Sequence, residues 1–343
     1  MERRTLWFAG LCCLVVTACS KTFEPGSQGP QTGAGITSTP VARSAPASAA
    51  HATATATASS SVVEGRSEPP FDPSAYPWLA DSGLTGPAPE GDLEARFAPP
   101  PGYSRVRLAP GSFGAWLRRL PLAAPGTPVR KFSGSVLLAG DSENVAAVVA
   151  IDAGKADLQQ CADSVIRLHA EWLWSQGRRD MSYRAASGTP MPYERWARGE
   201  RVVQRGMGIA WVASSRPSVD HGGFRQFLDT VFAWANTVSL DRQAERVELS
   251  SLRPGDFVIQ PGNPGHAVLF LDVAASADGK RMALLGQGYM PAQGIYVLRP
   301  NPGQPWFEIR PEDGAIKTPF WDPFPWSSLR RLDGEGIDSR RAR

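Results

Sequence analysis

The chain has 343 residues, 42% of them hydrophobic, and a formal net charge of +3. That length supports one or two domains with a real core, and the near-balanced charge gives no reason to expect a nucleic acid or another strongly anionic partner. Four scattered histidines, without CxxC or HExxH spacing, leave a metal or other cofactor unsupported, and no P-loop, GxGxxG or GxSxG motif is present.

At the N-terminus, Arg3 and Arg4 precede an apolar run from Leu6 to Val16. The run is too short to span a bilayer comfortably and has the form of a signal peptide. It ends Val16-Thr17-Ala18-Cys19, which resembles a bacterial lipobox. This implies a signal peptide over residues 1–18, a lipid on Cys19 and a cell-envelope protein anchored in a membrane. Ser20 after the cysteine leans towards the outer membrane. The alternative is an ordinary cleaved signal peptide. Cys12 and Cys13 depart with the leader and Cys19 carries lipid, so Cys161 is the one thiol left and no intrachain disulfide is expected.

Residues 19–70 hold the lipidated cysteine and a Ser/Thr/Ala/Pro/Gly-rich stretch that reads as a disordered tether, with a reach of roughly 40 Å. A globular region is expected over residues 71–333, followed by a disordered tail over 334–343. The Arg-rich end (Arg330, Arg331, Arg340, Arg341 and Arg343) reads as frayed and solvated, with contact to envelope phosphates the alternative.

Within the globular region Tyr103 to Leu108 alternates like a strand, and Ser112 is placed to cap a short helix carrying Phe113, Trp116 and Leu117. Val129 to Leu138 and Val145 to Asp152 read as strands. Asp157 to Gln176 is an amphipathic helix with Leu158, Cys161, Val165, Leu168 and Trp172 on one stripe. Its Asp163, Arg167 and Glu171 form an i, i+4 charge ladder expected on a solvated face, with a substrate-facing role the lesser alternative. Arg201 to Ala213 suggests a strand pair, and Phe224 to Ala235 a second long helix, which His221 decorates at its start. PGDFVIQPGNPGHAVLFLDV reads as two strands around a Pro/Gly turn, and a hairpin through Ala277-Asp278-Gly279 returns as Arg281 to Met290. Ile295 to Leu298 and Trp306 to Arg310 are short strands, and Phe320 to Trp326 is an aromatic belt. Strands and helices come in blocks, so the expected class is α+β.

The chemistry-bearing pattern is a helix-start cysteine and a strand-start histidine. The helix dipole and free N–H groups near Cys161 favour thiolate. His266 opens a strand, and Gly265 before it is expected to leave space for a reacting group. A thiolate beside an imidazole is the minimal acyl-transfer nucleophile. A turn centred near Asp278 makes paired residue numbers sum to about 555, so His266 faces a residue near Tyr289 and Gln287 is a near neighbour, whose carbonyl is expected to accept the Nδ1–H bond. Asp272 shares strand parity with His266 but lies ~20 Å along the strand, too far to orient the ring. Gln160 is a candidate oxyanion donor, and Tyr289 and Gln293 are candidate cleft residues. If Asp157 caps the helix, the Cys161 amide is already bonded, and an oxyanion hole needs a cap one or two residues later.

The order DLQQC, PGD, GHAVLFLDV and a returning strand with a polar residue resembles the papain-like envelope amidases of the NlpC/P60 and CHAP families. That resemblance implies a helix carrying Cys packed on an antiparallel sheet, with extra strands and an inserted helical segment over 175–245. It assigns Cys161 as nucleophile, His266 as base and Gln287 as orienting residue. PGYSRVRLAPGSFGAWLRRLPL, GKADLQQCADSVIRLHAEWL and LLGQGYMPAQ resemble a bacterial lipoprotein family catalogued as a domain of unknown function (4846), which brings export and no chemistry. The resulting expectation is a thiol-dependent amidase or peptidase of an amide or ester bond, with peptidoglycan peptides the default substrate. The alternative is a non-catalytic envelope lipoprotein that binds a peptide, glycan or protein.

Overall fold

A computed structural model describes residues 72–81, 85–214 and 216–332. The leader, Cys19, the tether and residues 333–343 lie outside the described residues.

The architecture mixes α and β, with an antiparallel sheet at its centre. The nine strands of that sheet are β1 (Tyr103–Arg105), β2 (Val145–Val148), β3 (Glu245–Arg246), β4 (Asp256–Gln260), β5 (His266–Ser276), β6 (Arg281–Gln287), β7 (Tyr296–Leu298), β8 (Phe307–Ile309) and β9 (Leu329–Arg331). They run in the order β3-β9-β4-β5-β6-β7-β2, with β8 paired to β6 and β1 to β5. Four helices matter below: α1 (Phe113–Arg118), α2 (Cys161–Ser175), α3 (His221–Trp234) and α4 (Thr237–Gln243).

The β5–β6 hairpin sets the register of the site. Leu269 pairs with Gly286 and Phe270 with Leu285, then the register slips by one so that Asp272 pairs with Leu284. Leu271 is the extra residue of a β-bulge, which reverses the in/out alternation beyond it. Before the bulge Ala267, Leu269 and Leu271 pack in one core with Val165 and Ile166 of α2. Val268 and Phe270 enter a second core with Val258, Leu285 and Tyr296. Beyond it Val273 joins the second core and Ala274 the first. Apolar burial on both faces of β5 explains its near-continuous hydrophobic reading. Asp272 is buried far from the histidine as expected, accepting from Arg105 Nε (2.7 Å) and Arg118 Nη2 (2.8 Å).

The expected helix from Asp157 starts later, at Cys161, with Gln160 as N-cap in extended conformation. The Gln160 N–H donates to Asp163 Oδ2 (3.1 Å), so an acidic residue at the third helical position closes the first turn. The helix ends at Ser175 with Gln176 as its cap, and Gly177 just beyond takes a left-handed φ of 71°. The strand pair expected at Arg201 to Ala213 is a hairpin of Glu200–Arg205 with Gly208–Ala213. Residues 175–245 are not an appendage: Phe224, Phe227 and Val231 of α3 share the core of α2.

Two charge expectations are overturned. Arg330 and Arg331 are not frayed. They sit in β9, Arg330 Nε 2.8 Å from Asp241 and Arg331 Nη2 donating to Asp256 Oδ2 at 2.8 Å. Nor does the Asp163–Arg167–Glu171 ladder face solvent. All three are buried, because the side of α2 away from the sheet is covered by α3 and the loop at Asp152. Arg167 Nη2 donates to Asp152 Oδ2 (2.8 Å), Nε to Glu171 Oε1 (2.9 Å) and Nη1 to Gln159 Oε1 (2.9 Å). His221, at the start of α3, lies 3.0 Å from Glu171 and 3.1 Å from Asp81.

Candidate active site

Cys161 is the first residue of α2, so its amide is not consumed by an intrahelical bond. The helix start meets the opening of β5. The thiol donates to the Gly265 carbonyl at 3.6 Å, and the Ala267 N–H faces the sulfur from the other side of His266. The sulfur thus rests against the backbone on both flanks of the histidine. Two glycines permit this approach. A Cβ at Gly288, just past β6, would collide with Ser164 Oγ and lie 3.1 Å from the Gln160 carbonyl. A Cβ at Gly265 would strike Thr237 Oγ1 and lie 2.7 Å from the Gly262 nitrogen. Gly265 therefore serves a tight backbone approach, not the open space expected of it.

His266 and Gln287 are brought together as the register implies. The nitrogen differs from expectation: it is Nε2–H that donates to Gln287 Oε1, at 2.7 Å. Gln287 Nε2 donates onward to the Tyr296 hydroxyl at 2.6 Å, which fixes the amide's orientation. This chain keeps the proton on Nε2 and leaves Nδ1 as the lone-pair nitrogen. Nδ1 is buried and has no hydrogen-bond partner. Tyr296 was not singled out from sequence. It pairs with Gln287 across β6 and β7, a position recoverable by carrying the register through the next turn.

Aromatic rings cover the imidazole. Tyr289 stands edge-on at 4.8 Å between centroids, with Trp321 at 4.9 Å and Phe324 at 6.0 Å, so the expected belt lies across the histidine. Tyr289 O–H donates to the Phe320 carbonyl (3.1 Å), tying the belt to the end of β6. Phe320 holds a left-handed φ of 73°, a strained conformation for a residue with a side chain.

A cavity of about 300 Å³ opens on the sulfur side. Gln160, Cys161 and Asp163 form one wall, and Phe232, Asn236 and Thr237 from the 175–245 segment form another. Gln160 lines this cavity, with its Nε2 donating to Asp157 Oδ1 at 3.2 Å. The Cys161 and Ala162 backbone N–H groups also face the sulfur. Gln159 is committed elsewhere, to Asp152 and Arg167. Tyr289 is in the neighbourhood through His266, whereas Gln293 is buried away from the cavity, opposite Lys131 in an isolated bridge. Among the described residues no group of three His, Cys, Asp or Glu side chains is placed to hold a metal ion.

The electrostatics reverse one expectation. Burial pushes the Cys161 thiol up to about 11, with Asp163 adding to the rise, and the facing N–H groups offset only part of it. The helix start therefore does not hold a resting thiolate. Burial also lowers His266 to about 4, against the Gln287 bond that favours protonation. Asp163, missed as a site residue because it was read as solvated, is pushed up to about 8 by burial. At neutral pH the resting pair is a thiol and a neutral imidazole.

The family described as Domain of unknown function (4846) matches residues 93–331, which include every element of this site. The chain belongs to that family. No curated protein and no solved structure matches it significantly.

Proposed function

We propose that this member of the 4846 family is a thiol-dependent amidase or peptidase with a papain-like arrangement of nucleophile, base and orienting amide. One observation carries the reading: a helix-start thiol lies against the backbone on either side of the strand-start histidine, whose Nε2–H is held by Gln287, leaving Nδ1 bare. In the proposed reaction the thiol turns from the Gly265 carbonyl towards Nδ1. Cys161 Sγ attacks the substrate carbonyl carbon as its proton passes to Nδ1. The negative charge on the carbonyl oxygen is met by the Cys161 and Ala162 N–H groups and Gln160 Nε2. The imidazolium returns the proton to the leaving amine or alkoxide as the C–N or C–O bond breaks. Water, deprotonated by Nδ1, then releases the acid from the thioester and restores the thiol. Gln287 and Tyr296 hold the ring throughout without taking a proton.

The proposed setting is the cell envelope, reached through a lipid on Cys19 and in the outer membrane, with peptidoglycan peptides as substrate. The test is incubation of the full chain with purified stem peptides, with new free amines followed by mass spectrometry. Release that survives both Cys161→Ala and His266→Ala, or no thioester adduct on Cys161 in rapidly quenched samples, ends the proposal.

A second reading is a non-catalytic envelope binder using the same cavity. It is supported by the fully covered ring of His266 and the raised thiol. Under that reading Cys161→Ala binds stem peptides as the native chain does.

A further inference from the structure

The cavity beside Cys161 carries a feature that the cleavage reading does not use. Asp163 lines it, is 7% exposed, and has one oxygen, Oδ2, engaged by the Gln160 N–H. The other, Oδ1, is buried with no partner. A buried polar atom left unmatched costs stability, and such an atom in a cavity wall marks a place where a ligand group completes the bonding. Of the other polar residues of the wall, Asp157, Gln160, Asn236 and Thr237 are engaged. Asp157 Oδ1 accepts from the Ala292 N–H and from Gln160 Nε2, Asn236 Oδ1 caps α4 through the Ser239 N–H, and Thr237 Oγ1 bonds Gly262. None of the lining residues is Lys, Arg or His. The unmatched position is thus an acceptor in a wall holding two carboxyl groups and no cation.

We propose that Asp163 forms the subsite for a primary ammonium group on the substrate, beside the carbonyl that Cys161 attacks. The inference rests on the reading of Cys161 as nucleophile and names the substrate class: amides or esters with a free amine close to the scissile bond. An ammonium donates to Oδ1 and balances the carboxylate, while an acylated amine or a carboxylate at that position meets an acceptor it cannot satisfy. Asp163 stands two residues from Cys161 on the first turn, where burial raises it to about 8 and keeps it mostly protonated at neutral pH. An amine that takes up that proton on binding leaves an ammonium–carboxylate pair of no net charge, so the free amine lowers KM.

The test reads the cavity without requiring turnover. Cys161 in the full chain is modified with methanethiosulfonates bearing a trimethylammonium, a neutral methyl or a sulfonate group. Each rate is divided by that reagent's rate on free cysteine. At pH 8.5, where Asp163 is mostly ionised, the cationic reagent is expected to lead the anionic one by roughly tenfold, the scale of one partly screened charge pair, and Asp163→Asn is expected to bring the ratio near one. Asparagine keeps the oxygen that caps the helix. A wild-type measurement covers the case in which the variant does not fold. Glycinamide, with its free ammonium, is expected to slow modification by the neutral reagent, and N-acetylglycinamide to leave it unchanged. Equal normalised rates in the wild type, or a preference that survives Asp163→Asn, overturn the ammonium subsite and leave the nucleophile standing. Protection by the acetylated compound as strong as by glycinamide does the same. Failure of all three reagents to reach the sulfur overturns both.

Discussion

The two ends of α2 carry buried polar groups under opposite terms. Around Arg167 and Glu171 every charge meets a counter-charge: Arg167 joins Asp152 to Glu171, Glu171 meets His221, and Arg225 closes on Asp152 and Asp229. Around Cys161 the groups are neutral and incompletely matched, with His266 Nδ1 and Asp163 Oδ1 both unpartnered. The fully paired end behaves as structure, since removing one member strands its partners in the interior. The unmatched end forgoes bonding that a folded core would normally supply. Unspent donors and acceptors beside a cavity are what a ligand or a transferred proton requires.

Substitutions at each end should therefore separate activity from stability. The largest expected effect is on turnover: Cys161→Ala or His266→Ala reduces peptide release by roughly a thousandfold or more, with unfolding midpoints close to the native chain for the cysteine variant. Arg167→Met at the paired end is expected to cost about 3–5 kcal/mol by denaturant unfolding, since Asp152 and Glu171 lose their shared partner. If the cysteine variant unfolds as readily as Arg167→Met, the contrast between the two ends fails. Gln287→Ala is intermediate, at about 1–3 kcal/mol, because His266 Nε2–H loses its acceptor inside the protein. It should also lower kcat more than it raises KM, as loss of ring orientation requires.

The smallest effect is a matter of sign. His266 is lowered to about 4, so its share of stability is present above its ordinary value near 6.5 and is lost as pH falls through 6.5 towards 4. For His221, burial pulls the pKa down, but bonding to Glu171 and Asp81 outweighs it and the net shift is upward. Its contribution is full below 6.5 and fades as pH rises through its raised value. Asp163, raised to about 8, loses its share as pH climbs from about 4 to 8. Urea unfolding of His266→Gln and His221→Gln across pH 4–8 should give slopes differing from the native chain in opposite directions. Slopes of the same sign would show that the two histidines do not sit in opposed environments.

Much of this neighbourhood was legible from sequence because it depends on a hairpin. Once the turn at Asp278 is fixed, period-two alternation puts Gln287 beside His266, and no long-range information is needed. The bulge at Leu271 was not legible; it lies between that turn and the site and shifts the pairing by one, from Asp272–Leu284 to Phe270–Leu285. The side chains of α2 were misread because helical spacing reports which residues share a face, not what covers the face. Asp163, Arg167 and Glu171 fall at solvated spacing, and only the return of α3 and the Asp152 loop buries them. The state of the thiol was misread for a related reason. A helix start lowers a thiol's pKa only while the anion stays solvated, and here burial outweighs the facing N–H groups. The aromatic cover of His266 was visible as composition, yet its target depends on how the chain after β8 closes over the sheet.

The wall contributed by Phe232, Asn236 and Thr237 separates two kinds of change available to this architecture. Sulfur, imidazole and orienting amide come from the helix start and two neighbouring strands, while the facing surface comes from a segment sequentially interposed between them. Exchange of that interposed stretch among related chains would retune which molecules are admitted while leaving the reacting atoms where they are. On the proposed reading, the facing wall and the reacting groups are inherited on different pieces of the polypeptide, with Asp163 the selective group that stays beside the sulfur on α2.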